Sequence, residues 1–134
     1  MTEIGLSAFS HFTGLEEIYI DKSITLVSNY AFQYCENLKS VYYYGSKTEF
    51  EEIEISNYYE TNKIFIEAPK YFYSNVYIEG QNSWVEINEQ TAIWLNETQI
   101  SINGIIYERR DTQPVEEGNY WFVGGSGEIE LWAN

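Results

Sequence analysis

The chain repeats its own pattern of apolar residues at an interval of 23 positions. This offset aligns pairs of apolar or small residues: Ile4 with Val27, Gly5 with Ser28, Ala8 with Ala31, Phe9 with Phe32, Phe12 with Cys35, Leu15 with Leu38, Ile18 with Val41, and Ile20 with Tyr43. The residues between them are mostly polar, so each unit has one apolar rim that a neighbouring unit must cover. The repeat therefore predicts a stack of similar coils.

Two patterns occur inside each unit. Leu15-x-x-Ile18-x-Ile20, and its counterpart 23 residues later, alternates with a period of two, as a short strand with one buried face requires. Ala8-Phe9-x-x-Phe12 has a three-residue spacing, which is typical of a short helix. We therefore expect each coil to contain a short helix, a turn and a strand.

With these motifs, residues 4–44 resemble the repeat of the BspA-like, Treponema-type leucine-rich-repeat family of bacteria, which reads roughly I-G-x-x-A-F-x-x-C-x-x-L-x-x-I-x-I. The resemblance implies a short right-handed solenoid from the C-terminal part of a repeat array. From Tyr43 onward the period weakens, and the residues look like the longer, irregular coil that closes such arrays. The resemblance implies that a last strand at residues 70–73 lies beside strands at residues 17–21 and 40–44.

The residues after the solenoid have a different pattern. Short apolar runs occur at residues 76–78, 84–87, 100–102, 105–107, 120–123 and 129–132. Asn103-Gly104 is a strong hairpin motif, and the glycine-rich residues 124–127 indicate another turn. We therefore predict a solenoid at residues 1–75 and a small antiparallel β segment at residues 76–134. The fold class is a β-rich α/β repeat.

The chain is strongly acidic, with 21 acidic and 7 basic residues and a formal net charge of −14. Such a field repels nucleic acid and anionic membranes and favours basic partners. No stretch approaches the roughly 20 apolar residues of a membrane helix, so we expect no membrane insertion. The chain shows no signal peptide, although the family resemblance favours the cell surface or secretion. The charge also suggests an alternative, an acidic decoy or inhibitor, such as a phage could encode, that blocks a nucleic-acid-binding protein.

Candidate catalytic groups are few. His11 and Cys35 are the chain's His and Cys, and such a pair can act as base and nucleophile. However, Cys35 aligns with a core position, and His11 aligns with Tyr34, whose side chain should point elsewhere. The acidic residues at 49–54 are typical of a solvated face, and no phosphate, calcium or metal motif is present. We therefore predict no enzyme, no catalytic residue, no metal and no cofactor.

The outward positions of the predicted strands carry the candidate binding residues. They are Glu17, Tyr19 and Asp21 on the first strand, Ser40, Tyr42 and Tyr44 on the second, and Lys70 and Phe72 on the third. Stacked by the repeat, Tyr19, Tyr42 and Phe72 would form an aromatic ladder with carboxylates at its edge. Exposed aromatic residues on a rigid sheet bury much area at low entropic cost when a partner binds.

The predicted function is therefore that of a non-enzymatic module that binds a protein or glycan through this strand face. The predicted ligand-binding residues are Glu17, Tyr19, Asp21, Tyr42, Tyr44 and Phe72. The sequence leaves two alternatives open, namely that the aromatic pairs only stabilise the sheet, or that the C-terminal segment folds over them. It also allows a homodimer, in which a second copy covers the uncapped first coil at Ile4.

Overall fold

The computed structural model of the chain describes residues 2–133. The chain divides into two units, Met1–Tyr73 and Ser74–Asn134. Within the described residues strands dominate both units, and two α-helices of five residues each occur in the first unit. The fold is therefore rich in β structure, as the sequence predicts.

The first unit is built from six short strands, all of which pair in parallel. The strands are β1 (Glu3–Ile4), β2 (Glu17–Ile20), β3 (Leu26–Val27), β4 (Ser40–Tyr43), β5 (Glu54–Ile55) and β6 (Lys70–Tyr73). One sheet has the order β1-β3-β5, and β2, β4 and β6 are neighbours in another. Glu3 pairs with Leu26 and Glu17 with Ser40, so the 23-residue repeat of the sequence is the repeat of the coil.

The segments at residues 6–11 and 29–34 form consecutive turns, so the prediction of short helices there was wrong. Ala8 and Ser10 donate their N–H groups to carbonyls three residues earlier, both at 3.1 Å. Phe9 and His11, between them, donate instead to carbonyls of the next coil, at 2.7 and 2.8 Å. Left-handed backbone occurs at Ser7, His11, Tyr30 and Tyr34 (φ 58, 65, 64 and 63°). Because alternate N–H groups bond to the neighbouring coil, the i→i−4 ladder of a helix cannot form.

The third coil is longer than the first two. Leu26 pairs with Glu54 and Val41 with Lys70, so the offset between paired residues grows to 28 and 29 positions. The added length contains helix α1 (Lys47–Glu51), a 3₁₀ turn (Tyr58–Glu60) and helix α2 (Lys63–Glu67). Strand β6 nevertheless pairs with β4, at the position that the sequence predicts for the last strand.

Helix α1 begins at a capping box. The Ser46 hydroxyl accepts the N–H of Glu49 at 3.1 Å, and the Glu49 carboxylate accepts the N–H of Ser46 at 3.0 Å. These bonds satisfy two backbone donors that the helix leaves without an internal partner. They also lower the pKa of the Glu49 carboxyl group below its ordinary value. The cap therefore fixes where α1 starts and positions Phe50 in the core.

The core of the first unit contains a stack of phenylalanine rings that runs through all three coils. The ring of Phe32 lies 5.3 Å from that of Phe9 and 4.5 Å from that of Phe65, each pair with an interplanar angle of 9°. Phe32 and Phe65 are fully buried, whereas Phe9 is partly buried. Each ring therefore covers the apolar rim of the neighbouring coil, as the repeat predicts.

A buried asparagine joins the second coil to the third. The Asn62 side chain is completely inaccessible to solvent. Its Oδ1 accepts the N–H of Phe32 at 3.0 Å, and its Nδ2 donates to the carbonyls of Ser28 and Ser56 at 2.8 and 2.6 Å. This amide therefore accepts the Phe32 N–H, whose counterpart in the first coil, the N–H of Phe9, bonds directly to the carbonyl of Ala31 in the next coil.

Six strands form the second unit: β7 (Ser83–Ile87), β8 (Gln90–Trp94), β9 (Gln99–Ile102), β10 (Ile105–Arg109), β11 (Asn119–Val123) and β12 (Ile129–Ala133). Consecutive strands are neighbours, and four of the five pairings are antiparallel. Asn103 and Gly104 have left-handed φ values of 52 and 82°, and Ile102 pairs with Ile105, which confirms the predicted hairpin.

Three sequence predictions for this unit need correction. Residues 76–78 do not form a strand, and strand β8 was not predicted from the sequence. The pairing of β10 with β11 is parallel, through Glu108 with Tyr120 and Arg109 with Trp121, so the sheet is mixed. The residues between Arg109 and Asn119 bring the chain back to the same end of the sheet, which a tight hairpin cannot do.

Candidate binding face

Five tyrosines lie on the outward side of the three strands β2, β4 and β6, four of them in the strands and Tyr44 directly after β4. Tyr19 of β2 pairs with Tyr42 of β4, which pairs with Tyr71 of β6, so these three form one row across the strands. Tyr44 and Tyr73 form a second row, with ring centroids 6.3 Å apart. We call the surface made by Tyr19, Tyr42, Tyr44, Tyr71 and Tyr73 the tyrosine face.

Phe72 does not belong to this surface, so the prediction of its outward orientation was wrong. Its side chain is buried in the core and packs edge-on against Phe50, with ring centroids 5.7 Å apart. Tyr71 takes the predicted place beside Tyr42. Side chains alternate along a strand, so an error of one residue in the phase of β6 exchanges its two faces.

Lys70 also points away from the tyrosine face, contrary to the sequence prediction. Its Nζ donates to the carbonyls of Phe65 and Ile66 at 2.6 and 2.9 Å, and to that of Ala68. Burial lowers the pKa of Lys70 to about 8, whereas the carbonyl oxygens favour the charged form. The side chain therefore caps the C-terminal end of α2 and contributes no positive charge to the tyrosine face.

The tyrosine rings stack on one another. Ring centroids lie 4.8 Å apart for Tyr19 and Tyr42 and 5.0 Å apart for Tyr42 and Tyr71, with interplanar angles of 14 and 23°. The central Tyr42 is 4 % exposed, whereas Tyr19 and Tyr44 are 41 % and 39 % exposed. Because the ring faces in the row cover each other, the central part of this surface has little ring face left to offer a partner.

Carboxylates flank the tyrosine face on β2 and just beyond it. Glu17 and Asp21 are exposed, and the Asp21 carboxylate accepts the N–H of Ser23 at 2.8 Å. This hydrogen bond lowers the pKa of Asp21. Burial raises the pKa of Tyr42 to about 12, and the negative charge of Glu17 adds to that increase. At neutral pH Tyr42 therefore stays a neutral phenol.

The alkaline stability of the first unit is expected to depend on Tyr42. Its phenol ionises near pH 10 in the unfolded chain and near pH 12 in the folded protein, so its contribution to stability is complete below pH 10 and is lost between pH 10 and 12. Two pKa units correspond to a loss of about 2–3 kcal/mol in the free energy of unfolding. Urea unfolding from pH 8 to 12 should show a steeper decline for wild type than for Tyr42→Phe. Equal declines would contradict this role of Tyr42.

The remaining candidates from the sequence do not assemble into a reactive site. Cys35 is buried and its Sγ donates to the carbonyl of Phe9 at 3.0 Å, while the His11 ring lies 4.6 Å from that of Tyr34. Burial also raises the pKa of the Cys35 thiol, which disfavours the reactive thiolate. Within residues 2–133, no three His, Cys, Asp or Glu side chains are grouped so that they could hold a metal ion.

The first coil presents a groove with a volume of about 390 Å³. It is lined by Glu3, Ile4, Gly5, Ala8, Phe9, Ile18, Tyr19, Ile20, Asp21, Ser23 and Ile24. The groove is largely apolar, but Glu3 and Asp21 are acidic. A homodimer through this coil remains a prediction, and it would bring like charges of two copies together.

Parallel strands that recur at a fixed interval, joined by turns over a shared apolar core, define a repeat protein of the leucine-rich class. The family model for a BspA-type leucine-rich-repeat region of six copies matches residues 1–91. The chain therefore belongs to the BspA-type leucine-rich-repeat family. The match ends beyond the predicted solenoid boundary at residue 75. Comparison with curated proteins and with solved structures gave no significant match.

Membership of this family indicates a protein-interaction module, and the family is generally non-enzymatic. In the part of the chain that the structure describes, no helix has the length and apolar character needed to cross a membrane. Tyr71 and Tyr73 were not predicted from the sequence as members of the tyrosine face. Alternation along β6 places Tyr71 and Tyr73 on the same face, but it does not show which face of the strand points outward.

Proposed function

We propose that this chain is a non-enzymatic module that binds a protein partner through the tyrosine face. The two rows of tyrosines across β2, β4 and β6 carry this proposal. Tyrosine combines a large apolar ring with a polar hydroxyl and loses little conformational entropy on binding, which makes it a preferred contact residue in protein interfaces. Residues 1–75 would then act as a right-handed solenoid with a closing coil, and residues 76–134 as a separate β-rich part.

The stacking geometry favours a protein over a glycan. A sugar ring packs against the flat face of an aromatic side chain, but the faces of Tyr42 are covered by Tyr19 and Tyr71, at 4.8 and 5.0 Å. What such a row offers is a series of ring edges and hydroxyl groups, which suits the hydrogen bonds and small apolar contacts of a polypeptide. The family match lends no support to the alternative of an acidic decoy.

The packing of the rings could also serve only the stability of the sheet, since cross-strand aromatic pairs stabilise neighbouring strands. The exposed fraction of each tyrosine distinguishes stabilisation of the sheet from binding of a partner. Tyr42 is almost inaccessible and supports its neighbours, whereas Tyr19 and Tyr44 keep large exposed surfaces. A stabilising role explains Tyr42, whereas the exposed surfaces of Tyr19 and Tyr44 are the area that a partner would cover.

A triple substitution of Tyr19, Tyr44 and Tyr73 by alanine is expected to abolish partner capture while the chain stays folded. Aromatic contact residues contribute roughly 1–2 kcal/mol each, so the three together should weaken binding by about 100-fold or more. The measurement is affinity purification of partners on immobilised wild type and variant, followed by titration of each recovered protein by calorimetry. Circular dichroism checks the fold of both baits.

The matched control replaces three tyrosines that lie outside the strands. Tyr34, Tyr58 and Tyr59 are 49 %, 56 % and 80 % exposed, and their replacement by alanine should leave partner binding within about twofold of wild type. Equal loss in both triple variants would mean that the tyrosine face has no special role. A glycan array probed with the same three proteins adds a second readout. If wild type and the control variant retain a glycan and the Tyr19, Tyr44 and Tyr73 variant does not, the ligand of the tyrosine face is a glycan and not a protein.

A further inference from the structure

Strand β12 lies at the outer edge of the sheet in the second unit. It pairs with β11 along its whole length, and among residues 2–133 no strand pairs with its other side. The open side of such a strand carries backbone N–H and C=O groups that point away from the sheet, which makes it a template for a further strand. The chemistry of this edge therefore selects an extended polypeptide as its occupant.

The hydrogen bonds of the β11–β12 hairpin determine which groups point outward. The N–H of Gly124 donates to the carbonyl of Glu128 at 2.8 Å, at the end of the pairing. Hydrogen-bonded pairs alternate along an antiparallel ladder, so the backbone groups of Glu130 and Trp132 bond towards β11. The backbone groups of Ile129 and Leu131 therefore point to the open side.

This edge lacks the features that normally prevent strand pairing. Edge strands are commonly protected by proline, lysine or a bulge, and β12 contains none of these. Its one charged residue is Glu130, whose carboxylate occupies the space that a side chain at Gly124 would need, so this charge lies over the turn of its own hairpin. Trp132 stacks on Phe122 of β11, with ring centroids 3.8 Å apart. Both side chains are thus directed towards β11 and away from the open side.

We propose that β12 pairs in antiparallel orientation with β12 of a second copy of this chain. A two-fold axis at Leu131 places this residue opposite its own counterpart, and Glu130 opposite Trp132 of the second copy. Like charges directly opposite each other destabilise a strand pair, and this register avoids that arrangement. Each copy uses the same edge, so the contact is self-complementary and closes after two chains.

Apolar surface at this edge is available for a second copy to cover. Ile129 and Leu131 are half-buried, and Val123, which pairs with Ile129, is 47 % exposed. Residues opposite each other in an antiparallel pair point to the same face of the sheet, so the Leu131 side chains of the two copies would lie side by side. None of these residues belongs to the tyrosine face, so the proposal does not depend on the proposed function.

Analytical ultracentrifugation of the full chain, from about 5 to 500 µM, tests the pairing. Two strands of five residues form a small interface, so we expect a weak dimer with a dissociation constant of about 100 µM. The net charge of −14 repels a second copy, so higher salt should strengthen the dimer. A monomer at every concentration, in low and in high salt, would overturn the proposal.

Leu131→Pro is the site variant. Proline removes an outward N–H at the centre of the proposed contact and leaves the bonds of Glu130 and Trp132 to β11 in place. Leu131→Val is the matched control, because it shortens the same side chain but keeps the N–H. We expect the proline variant to weaken dimerisation by about tenfold or more and the valine variant by less than about threefold. Equal weakening would mean that side-chain contact and not strand pairing joins the copies, which contradicts the proposal.

Amide hydrogen exchange tests the pairing in wild type, so it is informative even if the proline variant does not fold. The N–H groups of Ile129 and Leu131 face solvent in the monomer and would bond to the second copy in the dimer. We expect their exchange to slow by about threefold between the dilute and the concentrated sample, while the exposed turn residue Ser126 exchanges at an unchanged rate. A dimer that forms without this slowing uses another surface, and the proposal is then wrong.

Glu130→Gln tests the register of the pairing. With the axis at Leu131, the Glu130 side chains of the two copies are diagonal neighbours on one face, so loss of their charge should strengthen the dimer by about threefold. Glu89→Gln is the control, since it removes one charge from an exposed turn between β7 and β8 and should change dimerisation by less than about 1.5-fold. Equal strengthening by the two variants would show that the dimer responds only to net charge, and would overturn the pairing through β12.

Discussion

Replacement of Phe32 by alanine is expected to lower the free energy of unfolding of the first unit by about 3–5 kcal/mol. The Phe32 ring is fully buried and stacks on Phe9 and Phe65, at 5.3 and 4.5 Å. Its loss leaves a cavity between two coils and breaks the continuous contact from the first coil to the third. Urea unfolding followed by far-ultraviolet circular dichroism measures the change.

Phe9→Ala is the matched comparison for this prediction. Phe9 is partly buried and stacks on Phe32, so its truncation removes less buried area. We expect a loss of about 1–2 kcal/mol, since an incompletely buried ring contributes less to stability. Equal losses for the two variants would mean that the centre of the stack is no more important than its end, and that the coils do not depend on one another through these rings.

Replacement of Asn62 by leucine is expected to have a comparably large effect, with a loss of about 3–5 kcal/mol in the free energy of unfolding. Leucine has a similar volume but removes the acceptor of the buried Phe32 N–H and the donor to the partly buried carbonyls of Ser28 and Ser56. Each such group costs about 1–3 kcal/mol. The same urea unfolding experiment measures the loss.

Asn37→Leu provides the control. The Asn37 amide also bonds to another coil, by donating to the carbonyl of Thr13 at 2.6 Å, but it is exposed and water can replace the bond. Its loss should cost less than about 1 kcal/mol. If leucine is tolerated equally well at both positions, burial of the Asn62 amide does not determine its contribution, and the role we assign to this residue is wrong.

The 23-residue period made the pairing of the first two coils predictable. Matched apolar residues must cover one another, so Ile18 beside Val41 and Ile20 beside Tyr43 follow directly from the offset. The Asn103-Gly104 hairpin was predictable for a local reason, because both residues accept left-handed backbone. In both cases a single physical requirement determines the structure.

Other features depend on which of two possible local structures is more stable, and the sequence alone does not reveal this. The spacing of Phe9 and Phe12 suits a helix as well as consecutive turns, and hydrogen bonds to the next coil favour the turns. The phase of β6 was not predictable because the longer third coil interrupts the repeat, and the run of three aromatic residues from Tyr71 to Tyr73 shows no contrast between its faces. The role of Asn62 was missed because no repeat position calls for a buried amide.

The spacing of the tyrosine rows has a consequence for how recognition could change over time. The rings of Tyr19, Tyr42 and Tyr71 lie 4.8 and 5.0 Å apart, close to the roughly 4.8 Å that separates neighbouring strands. The spacing of the strands thus sets the spacing of the side chains. Exchange of one outward residue alters only the contacts of that residue and leaves the distances between the strands intact. A surface built in this way can acquire a new specificity by independent steps, without any change to the scaffold that carries it.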